Sequence, residues 1–178
     1  PVQIVRNLTF DFYQQLKPRD LAPFPVAILD VDDPSIAEIG QWPWPRTRFA
    51  ELVDRATADG AVAVAFDIIF AEPDRLSPPR IAEDNPDLAP DVRAALAAQP
   101  ENDAALAAAF ARSRVIVGQT SVRSALAGLE VERDIPEVPH AIIGPDPMPF
   151  LLRFPDLVAN VPELEAAAAG RGVCNVRP

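Results

Sequence analysis

Five acidic residues lie at the end of, or just after, two apolar runs of the chain. They are the residues most able to bind a ligand or to react. They are Asp30, Asp32, Asp67, Glu72 and Asp74. Converging carboxylates repel one another unless a cation, an arginine or a proton lies between them. Because hard oxygen ligands suit Mg²⁺ and Ca²⁺, Asp30, Asp32 and Asp67 are the candidate ligands of a metal ion.

Two other interpretations of these carboxylates stay open. Arg46 and Arg75 lie close to them in sequence and could neutralise them in structural ion pairs. Alternatively, the carboxylates could bind a polar small molecule, with Trp42, Trp44 and Arg46 forming an aromatic and cationic wall. The two tryptophans could instead be hydrophobic plugs over a sheet edge. Residue types and spacing do not decide among these alternatives.

The elements that must position these residues form a strand, helix, strand pattern. Residues 26–31 and 61–68 are apolar runs that predict strands, and residues 46–59 have the spacing of a helix with Gly60 after its end. This order predicts a parallel βαβ unit, whose strand ends share the sheet edge where ligands usually bind. Since Asp67 ends an almost wholly apolar run, we expect it to be buried and held by hydrogen bonds or an arginine.

The remaining patterns extend this unit. Further helices are predicted at residues 2–17, where the pattern is amphipathic, near 33–40 and 91–98, and at 102–112 and 160–170; further strands are predicted at 115–117, 141–143 and 173–176. The 21 prolines concentrate in residues 73–100 and 136–162, which indicates long stiff loops. The expected fold is therefore α/β: a mainly parallel sheet flanked by helices, with long Pro-rich loops and an N-terminal amphipathic helix.

Composition excludes several classes of function. The net charge of −10 argues against nucleic acid and against anionic membrane surfaces as partners, because both attract Lys and Arg. No apolar run approaches the ~18 residues of a membrane span. The single cysteine, Cys174, excludes an internal disulfide. Since the chain starts at Pro1, we expect it to be a piece of a longer protein.

No catalytic residues are predicted. Asp30-Val31-Asp32 superficially resembles the nucleophile motif of haloacid-dehalogenase-type phosphatases, but Pro34 stands where that motif has Thr or Val. The only lysine, Lys17, lies upstream of the strand rather than downstream, where it could hold a phosphoryl group. The only histidine, His140, is expected to be a loop residue. A metal-dependent phosphoester hydrolase that uses Asp30, Asp32 and Asp67 is kept as an alternative function.

Three segments together resemble a known family. They are residues 26–32, the run Gly40-Gln41-Trp42-Pro43-Trp44-Pro45-Arg46, and the run from Phe66 to Asp74. They look like the type-two CHASE domain, the extracytoplasmic sensory domain of bacterial adenylate and guanylate cyclases and sensor kinases. The resemblance continues through Asn102-Asp103, the strand at residues 115–118 and the stretch before Cys174-Asn175.

The resemblance implies a periplasmic signal-input domain of an inner-membrane receptor, most similar to the members linked to nucleotide cyclases. Residues 1–20 would be the membrane-proximal helix and residues 21–178 the sensory domain, tethered by flanking transmembrane helices that lie outside this sequence. The domain itself would not be an enzyme. A homodimer is expected. The stimulus is expected to be a small molecule or an ion, and the resemblance does not identify it. A structural dimerisation module is the other alternative.

Overall fold

The computed structural model describes residues 2–18, 26–122, 142–151, 154 and 156–174. The chain divides into two compact units, Pro1–Gln41 and Trp42–Pro178, and each is described by itself. The first unit contains helices α1 (Val2–Leu16) and α2 (Asp33–Ile39). Asp32 caps α2 by accepting the Ser35 N–H at 2.9 Å, and Gly40, with φ of 114°, ends it. Both helices confirm the sequence prediction.

Helix α1 has the predicted amphipathic pattern, yet its apolar side chains are open to solvent. The exposed fraction is more than half for Ile4, Val5, Leu8, Phe10, Phe12, Tyr13 and Leu16. Among the described residues, no helix is both long and apolar enough to cross a membrane.

The second unit consists of helices around a small sheet. Its elements in chain order are α3 (Arg46–Ala58), β1 (Val64–Ala65), α4 (Pro78–Asp84), α5 (Pro90–Ala97), α6 (Asn102–Arg112), β2 (Val115–Val122), a 3₁₀ turn (Met148–Phe150), β3 (Asp156–Val158), α7 (Pro162–Ala167) and β4 (Gly170–Val173). The class is α/β, as predicted.

Strand β2 is the central strand of the sheet. It pairs in parallel with β1, where Val64 is opposite Val115, and with β4, where Ile116 is opposite Gly170. Its second half pairs with β3 in antiparallel orientation, with Thr120 opposite Val158. The described sheet is therefore mixed: two of its pairings are parallel and the third, between β2 and β3, is antiparallel, so the predicted mainly parallel sheet is not confirmed.

The predicted βαβ unit is only partly present. Helix α3 and strand β1 occur in the predicted order, but β1 has two residues instead of eight, and most of residues 61–65 are exposed. Residues 26–32 belong to no strand in the described part of the chain, and Val26 and Ile28 are exposed. A strand exists only where a neighbouring strand pairs its backbone groups, and residues 26–31 form no such ladder with the described strands.

The prediction of loops from proline content was wrong at Pro78–Asp84, where α4 lies, whereas α5 (Pro90–Ala97) confirms the helix predicted near 91–98. Prolines occupy the first turns of α4, α5 and α7. A helix begins with N–H groups that have no partner within the helix, so proline loses nothing at this place. These prolines start helices instead of preventing them.

Other bounds also differ from the sequence prediction. Strand β4 is Gly170–Val173, and the strand predicted at 173–176 falls partly outside the described residues, which end at Cys174. Ile142 and Ile143 lie in no strand, while Ala141 lies outside the described residues. Strand β3 was not predicted, because its three residues are too few to show an alternating pattern.

The hydrophobic core lies where α3, α6 and α7 pack on β2. Val53, Leu106, Val115, Val117 and Leu164 have no exposed surface. A chain of aromatic rings runs through it: Phe49, Phe66 and Phe70 contact one another with ring centroids 5.5–6.0 Å apart, and Phe66 also contacts Phe110.

Leu106→Ala should lower the free energy of unfolding by about 2–5 kcal/mol, because a fully buried Leu side chain leaves a cavity when truncated. Urea unfolding followed by circular dichroism measures the loss. The matched control is Leu151→Ala, whose side chain is 55% exposed and should change stability by less than about 0.5 kcal/mol. Equal effects of the two substitutions would contradict the assignment of the core.

Candidate functional site

The carboxylate of Asp74 is 5% exposed and joins two helix starts to the segment that follows β1. One oxygen, Oδ2, accepts the backbone N–H of Arg46 at 2.8 Å and the side-chain amide of Asn102 at 2.8 Å. The other oxygen accepts the Leu76 N–H at 2.9 Å. Because Pro45 precedes α3 and offers no side-chain cap, Asp74 satisfies an N–H at the start of α3 that has no partner within the helix.

Asp103, in the first turn of α6, is the second buried carboxylate and is 2% exposed. Its Oδ2 accepts the Asp74 N–H at 2.7 Å, and its Oδ1 accepts Nε of Arg46 at 3.3 Å. A carboxylate at a helix N-terminus is also favoured by the helix dipole. Asp103 therefore holds both the backbone of Asp74 and the side chain of Arg46.

The Arg46 guanidinium is enclosed by three groups. Besides Asp103 it donates from Nη2 to the backbone carbonyl of Glu72 at 3.3 Å, and its central carbon lies 4.5 Å from the centre of the Phe70 ring. A cation over an aromatic face is attracted by the negative face of the ring. Only 12% of the Arg46 side chain is exposed, so this ion pair is shielded from water.

Ser77, which is fully buried, caps α6 from a distant part of the sequence. The Asn102 N–H at the start of α6 donates to the Ser77 hydroxyl oxygen at 2.9 Å, while Glu101 before it makes no side-chain cap. The segment from Phe70 to Ser77 is thereby held to the starts of both α3 and α6. We call Arg46, Asp74, Ser77, Asn102 and Asp103 the capping cluster.

The capping cluster has more negative than positive charge. Burial raises the pKa of Asp103, and the neighbouring Asp74 carboxylate acts in the same direction, while the Asp74 N–H and Arg46 act against them. Burial, together with the like charges of Asp103 and Glu101, also raises the pKa of Glu163 in the first turn of α7. In the described part of the chain, the Arg46 guanidinium forms an ion pair with one of these carboxylates, Asp103.

A second buried network is centred on Glu165 of α7, which is 2% exposed. Its Oε1 accepts the Gln119 amide at 3.0 Å, the Asn160 amide at 2.8 Å and the Asn160 N–H at 2.9 Å. Its Oε2 accepts Nε of Arg171 from β4 in an ion pair that is also shielded. Burial opposes ionisation of Glu165, but the donors from Gln119, Asn160 and Arg171 outweigh it and lower the pKa of Glu165.

Asn160 connects the two networks. Its Oδ1 accepts the Phe70 N–H at 2.7 Å, and the Val161 N–H donates to the Phe70 carbonyl at 2.8 Å. Its amide nitrogen also donates to the Gly118 carbonyl on β2. The helix predicted at 160–170 is shorter than expected, because α7 begins at Pro162 and ends at Ala167. Val161 precedes α7, and the glutamate that accepts the Asn160 N–H is Glu165.

Of the sequence candidates, the structure brings Arg46, Glu72 and Asp74 together. Asp74 is buried as a paired carboxylate, and Glu72 contributes its backbone carbonyl while its side chain is exposed. Arg46 does form an ion pair with a carboxylate, but the partner is Asp103 and not one of the five candidates; Asp74 accepts the backbone N–H of Arg46 instead.

Trp42 and Trp44 extend the row of contacting aromatic rings that runs through the core. Their ring centroids are 5.6 Å apart, and each ring contacts Phe49. Trp44 packs against the core, while 36% of Trp42 is exposed. Both tryptophans therefore close the end of the core, and Trp42 keeps a surface that a ligand could touch.

Asp67 was expected to be buried, and this prediction was wrong. It is exposed although Phe66 beside it is buried, and β1 ends two residues before it. Its neighbour is the exposed thiol of Cys174, and a hydrogen bond to Asp67 raises the pKa of Cys174. Gly118 permits this crowding, since a side-chain carbon there would lie 3.0 Å from the Cys174 sulfur and 3.1 Å from the Phe66 carbonyl.

Asp30 and Asp32 belong to the first unit. Asp32 caps α2, and its hydrogen bonds from the Ser35 hydroxyl and N–H lower its pKa. Within the described ranges, no group of three or more His, Cys, Asp or Glu side chains is arranged to hold a metal ion. His140 lies outside the described residues.

A shallow groove lies between α4 and α5, lined by Ala82, Glu83, Pro86, Arg93 and Ala97. None of the sequence candidates lines it. Its walls are mainly short apolar side chains and the stem of Arg93, whose guanidinium donates to the Pro86 carbonyl.

Comparison with known proteins places the chain in a family. The family model described as CHASE2 domain matches residues 1–178, the whole chain. None of the curated proteins and none of the solved structures compared with the chain shows a significant match.

Arg46→Met should lower the free energy of unfolding by about 3–5 kcal/mol, because it leaves the buried Asp103 carboxylate without its cation. Urea unfolding at pH 7 measures the change. Arg48→Met is the matched control on the same helix turn: its ion pair with Glu51 is exposed and is worth at most about 1 kcal/mol. If both variants unfold alike, the Arg46 pair is not a buried interaction.

Stability should fall with pH below about 4.5, the ordinary pKa of glutamate. A carboxyl whose folded pKa is lowered stabilises the fold above its unfolded pKa and loses this contribution as pH falls through the folded pKa. Glu165→Gln should remove that part of the acid sensitivity and lower stability at pH 7. Denaturation midpoints between pH 7 and 3 test this. An acid response that Glu165→Gln leaves unchanged would show that other groups cause it.

Proposed function

Since the chain belongs to the CHASE2 family of extracytoplasmic sensory domains, we propose that it is the signal-input domain of a bacterial transmembrane receptor. The observation that carries this proposal is the family match over residues 1–178. The buried polar groups support it, because the capping cluster and the Glu165 network use their oxygens on internal donors and stiffen the fold. We place the domain in the periplasm, as part of an inner-membrane protein.

The output that we propose for the intact receptor is a nucleotide cyclase, which makes an adenylate or guanylate cyclase the expected host. This rests on the resemblance of the Glu72-Pro73-Asp74-Arg75 stretch to cyclase-linked members. A sensor kinase is the runner-up, since the same family of domains precedes kinases as well.

We propose that the stimulus, a small molecule or an ion, meets the domain at the surface beside the capping cluster. Trp42 is partly exposed there, and the side chain of Glu72 is exposed. Arg46 and Asp74 lie beneath, already paired, so their role would be to hold this surface in place. A ligand that displaced an internal partner would then alter the starts of α3 and α6.

A metal-dependent hydrolase remains the alternative enzyme function, and turnover of a phosphoester with Mg²⁺ would favour it. The capping cluster supports the sensory function instead, because the carboxylate oxygens of Asp74 already accept three N–H groups within the protein, from Arg46, Leu76 and Asn102. Those contacts are structural rather than catalytic.

We further propose that α1 passes the signal, and that the intact protein works as a homodimer. A cyclase catalytic site of this class forms between two subunits, so attached domains should pair. The apolar surface of α1 is exposed over its whole length, which makes it available to a second copy. A purely structural role in dimerisation would use the same surface without changing output.

Leu8→Asp in the full-length protein should change cyclic-nucleotide output several-fold, because it places a charge on the apolar stripe of α1. Output is measured as conversion of ATP or GTP by membranes that contain equal amounts of each variant. Gln14→Asp on the polar face of α1 is the matched control and should leave output unchanged.

Leu8 is 63% exposed, so Leu8→Asp should leave the denaturation midpoint of the 178-residue chain unchanged. Wild-type cyclic-nucleotide output from Leu8→Asp would show that α1 does not transmit the signal. Changed output together with an unfolded chain would instead show that Leu8 belongs to the core.

A further inference from the structure

Helices α4 and α5 form a hairpin outside the hydrophobic core of the second unit; we call residues 78–100 the α4–α5 hairpin. The two helices pack against each other, and neither makes an extensive contact with another helix or strand of the described chain. None of these residues belongs to the core, and among them only Ala82 is buried. The groove between α4 and α5 shows that the two helices also leave space between them. The hairpin therefore has little apolar burial to hold it closed.

The polar contacts of the hairpin are also internal. The Arg93 guanidinium donates to the Pro86 carbonyl at 3.2 Å, and the Asn85 amide donates to the Ile81 carbonyl at 2.8 Å. Within the described residues, one hydrogen bond leaves the hairpin: the Ile81 N–H donates at 3.0 Å to the carbonyl of Ser77, the residue just before it. Opening of the hairpin would therefore break few bonds to the rest of the unit.

The two ends of the hairpin are joined by a buried clasp between Ser77 and Asn102. The Asn102 N–H donates to the Ser77 hydroxyl oxygen at 2.9 Å, and the Asn102 side-chain amide donates to Asp74 at 2.8 Å. Ser77 is fully buried and Asn102 is 8% exposed. Pro78 and Pro100 lie at the two junctions between clasp and hairpin, and proline has no N–H to donate across them. The clasp thus belongs to the folded core region, whereas the hairpin beyond it does not.

We propose that the α4–α5 hairpin opens and closes as one unit, hinged at its two junctions, while the Ser77–Asn102 clasp stays closed and the core stays folded. Segments with few buried apolar contacts open at a smaller cost in free energy than the core does. Because Ser77 and Asn102 are members of the capping cluster, the moving part is attached at the residues that hold the starts of α3 and α6. This inference goes beyond the proposed function and does not depend on it.

Hydrogen exchange of single amides in the 178-residue chain tests this motion. The Ile81 N–H reports α4, and the Arg93 N–H, which donates to the Ala89 carbonyl at 2.9 Å, reports α5. The Phe66 N–H, which donates to the Ile116 carbonyl at 2.9 Å, reports the core. After correction for intrinsic rates, the α4 and α5 amides should have similar protection factors, both well below that of Phe66. Equal protection of all three amides would overturn the proposal.

Two matched substitutions separate opening of the hairpin from fraying and from global unfolding. Ala94 in α5 and Ala108 in α6 are both exposed and lie inside their helices. Glycine in place of alanine there changes an opening equilibrium about fivefold. Ala94→Gly should lower the protection of Arg93 and of Ile81 alike, because the two helices open together. Ala108→Gly should lower the protection of Phe66 and leave the two hairpin amides unchanged, because α6 stays folded when the hairpin opens.

The same measurements state what would overturn the proposal. A loss of protection at Arg93 but not at Ile81 in the α5 variant would show that α5 frays by itself. A loss at both hairpin amides in the α6 variant would show that the hairpin opens only together with the core. The Asn102 N–H, which forms the clasp, should exchange as slowly as that of Phe66. Exchange of Asn102 at the rate of the hairpin amides would contradict a clasp that stays closed.

Discussion

The interaction on which the second unit depends is the paired burial of Asp74 and Asp103. A buried carboxylate must be matched by donors or it destabilises the fold, and here the donors are the N–H groups and side chains at the starts of α3 and α6. Arg46 supplies the cation, and the Phe70 ring and the Glu72 carbonyl hold it in place. The segment after β1 can then follow only one path.

That path explains how the two buried networks form one framework. Phe70 packs among the core aromatic rings. Its backbone N–H donates to Asn160 Oδ1, and its carbonyl accepts the Val161 N–H. Asn160 in turn touches Glu165 and β2. A disturbance at the surface beside Trp42 and Glu72 therefore has a continuous set of contacts through which it can reach α7. This continuity is spatial, and whether it carries a signal is a question of coupling energy.

The sequence predicted the helices, whose bounds depend on local interactions. It did not predict the strand lengths and buried carboxylates that depend on residues distant in sequence. The bounds of α1, α3 and α6 follow from helical spacing, and Gly40 and Gly60, with φ of 114° and 98°, stand at the predicted helix ends. Strand lengths depend on neighbours, so residues 26–31 and 61–68 look like strands in sequence although only Val64–Ala65 pairs. Arg46 and Asp74 were recognised as candidate site residues from the sequence because they lie close to the apolar runs. Asp103 and Glu165 were missed, because a carboxylate in a helix looks solvated until its fold partners are known.

The central claim is that this chain governs the output of the receptor that contains it. With the proposed nucleotide cyclase as the host protein, the most direct measurement is the conversion of ATP or GTP by full-length wild type, Arg46→Met and Arg48→Met in membranes at equal protein amounts. Arg46→Met should shift output several-fold although the catalytic part is unaltered, while Arg48→Met should match wild type. Wild-type output from Arg46→Met would contradict the claim that the capping cluster belongs to a signal-input domain.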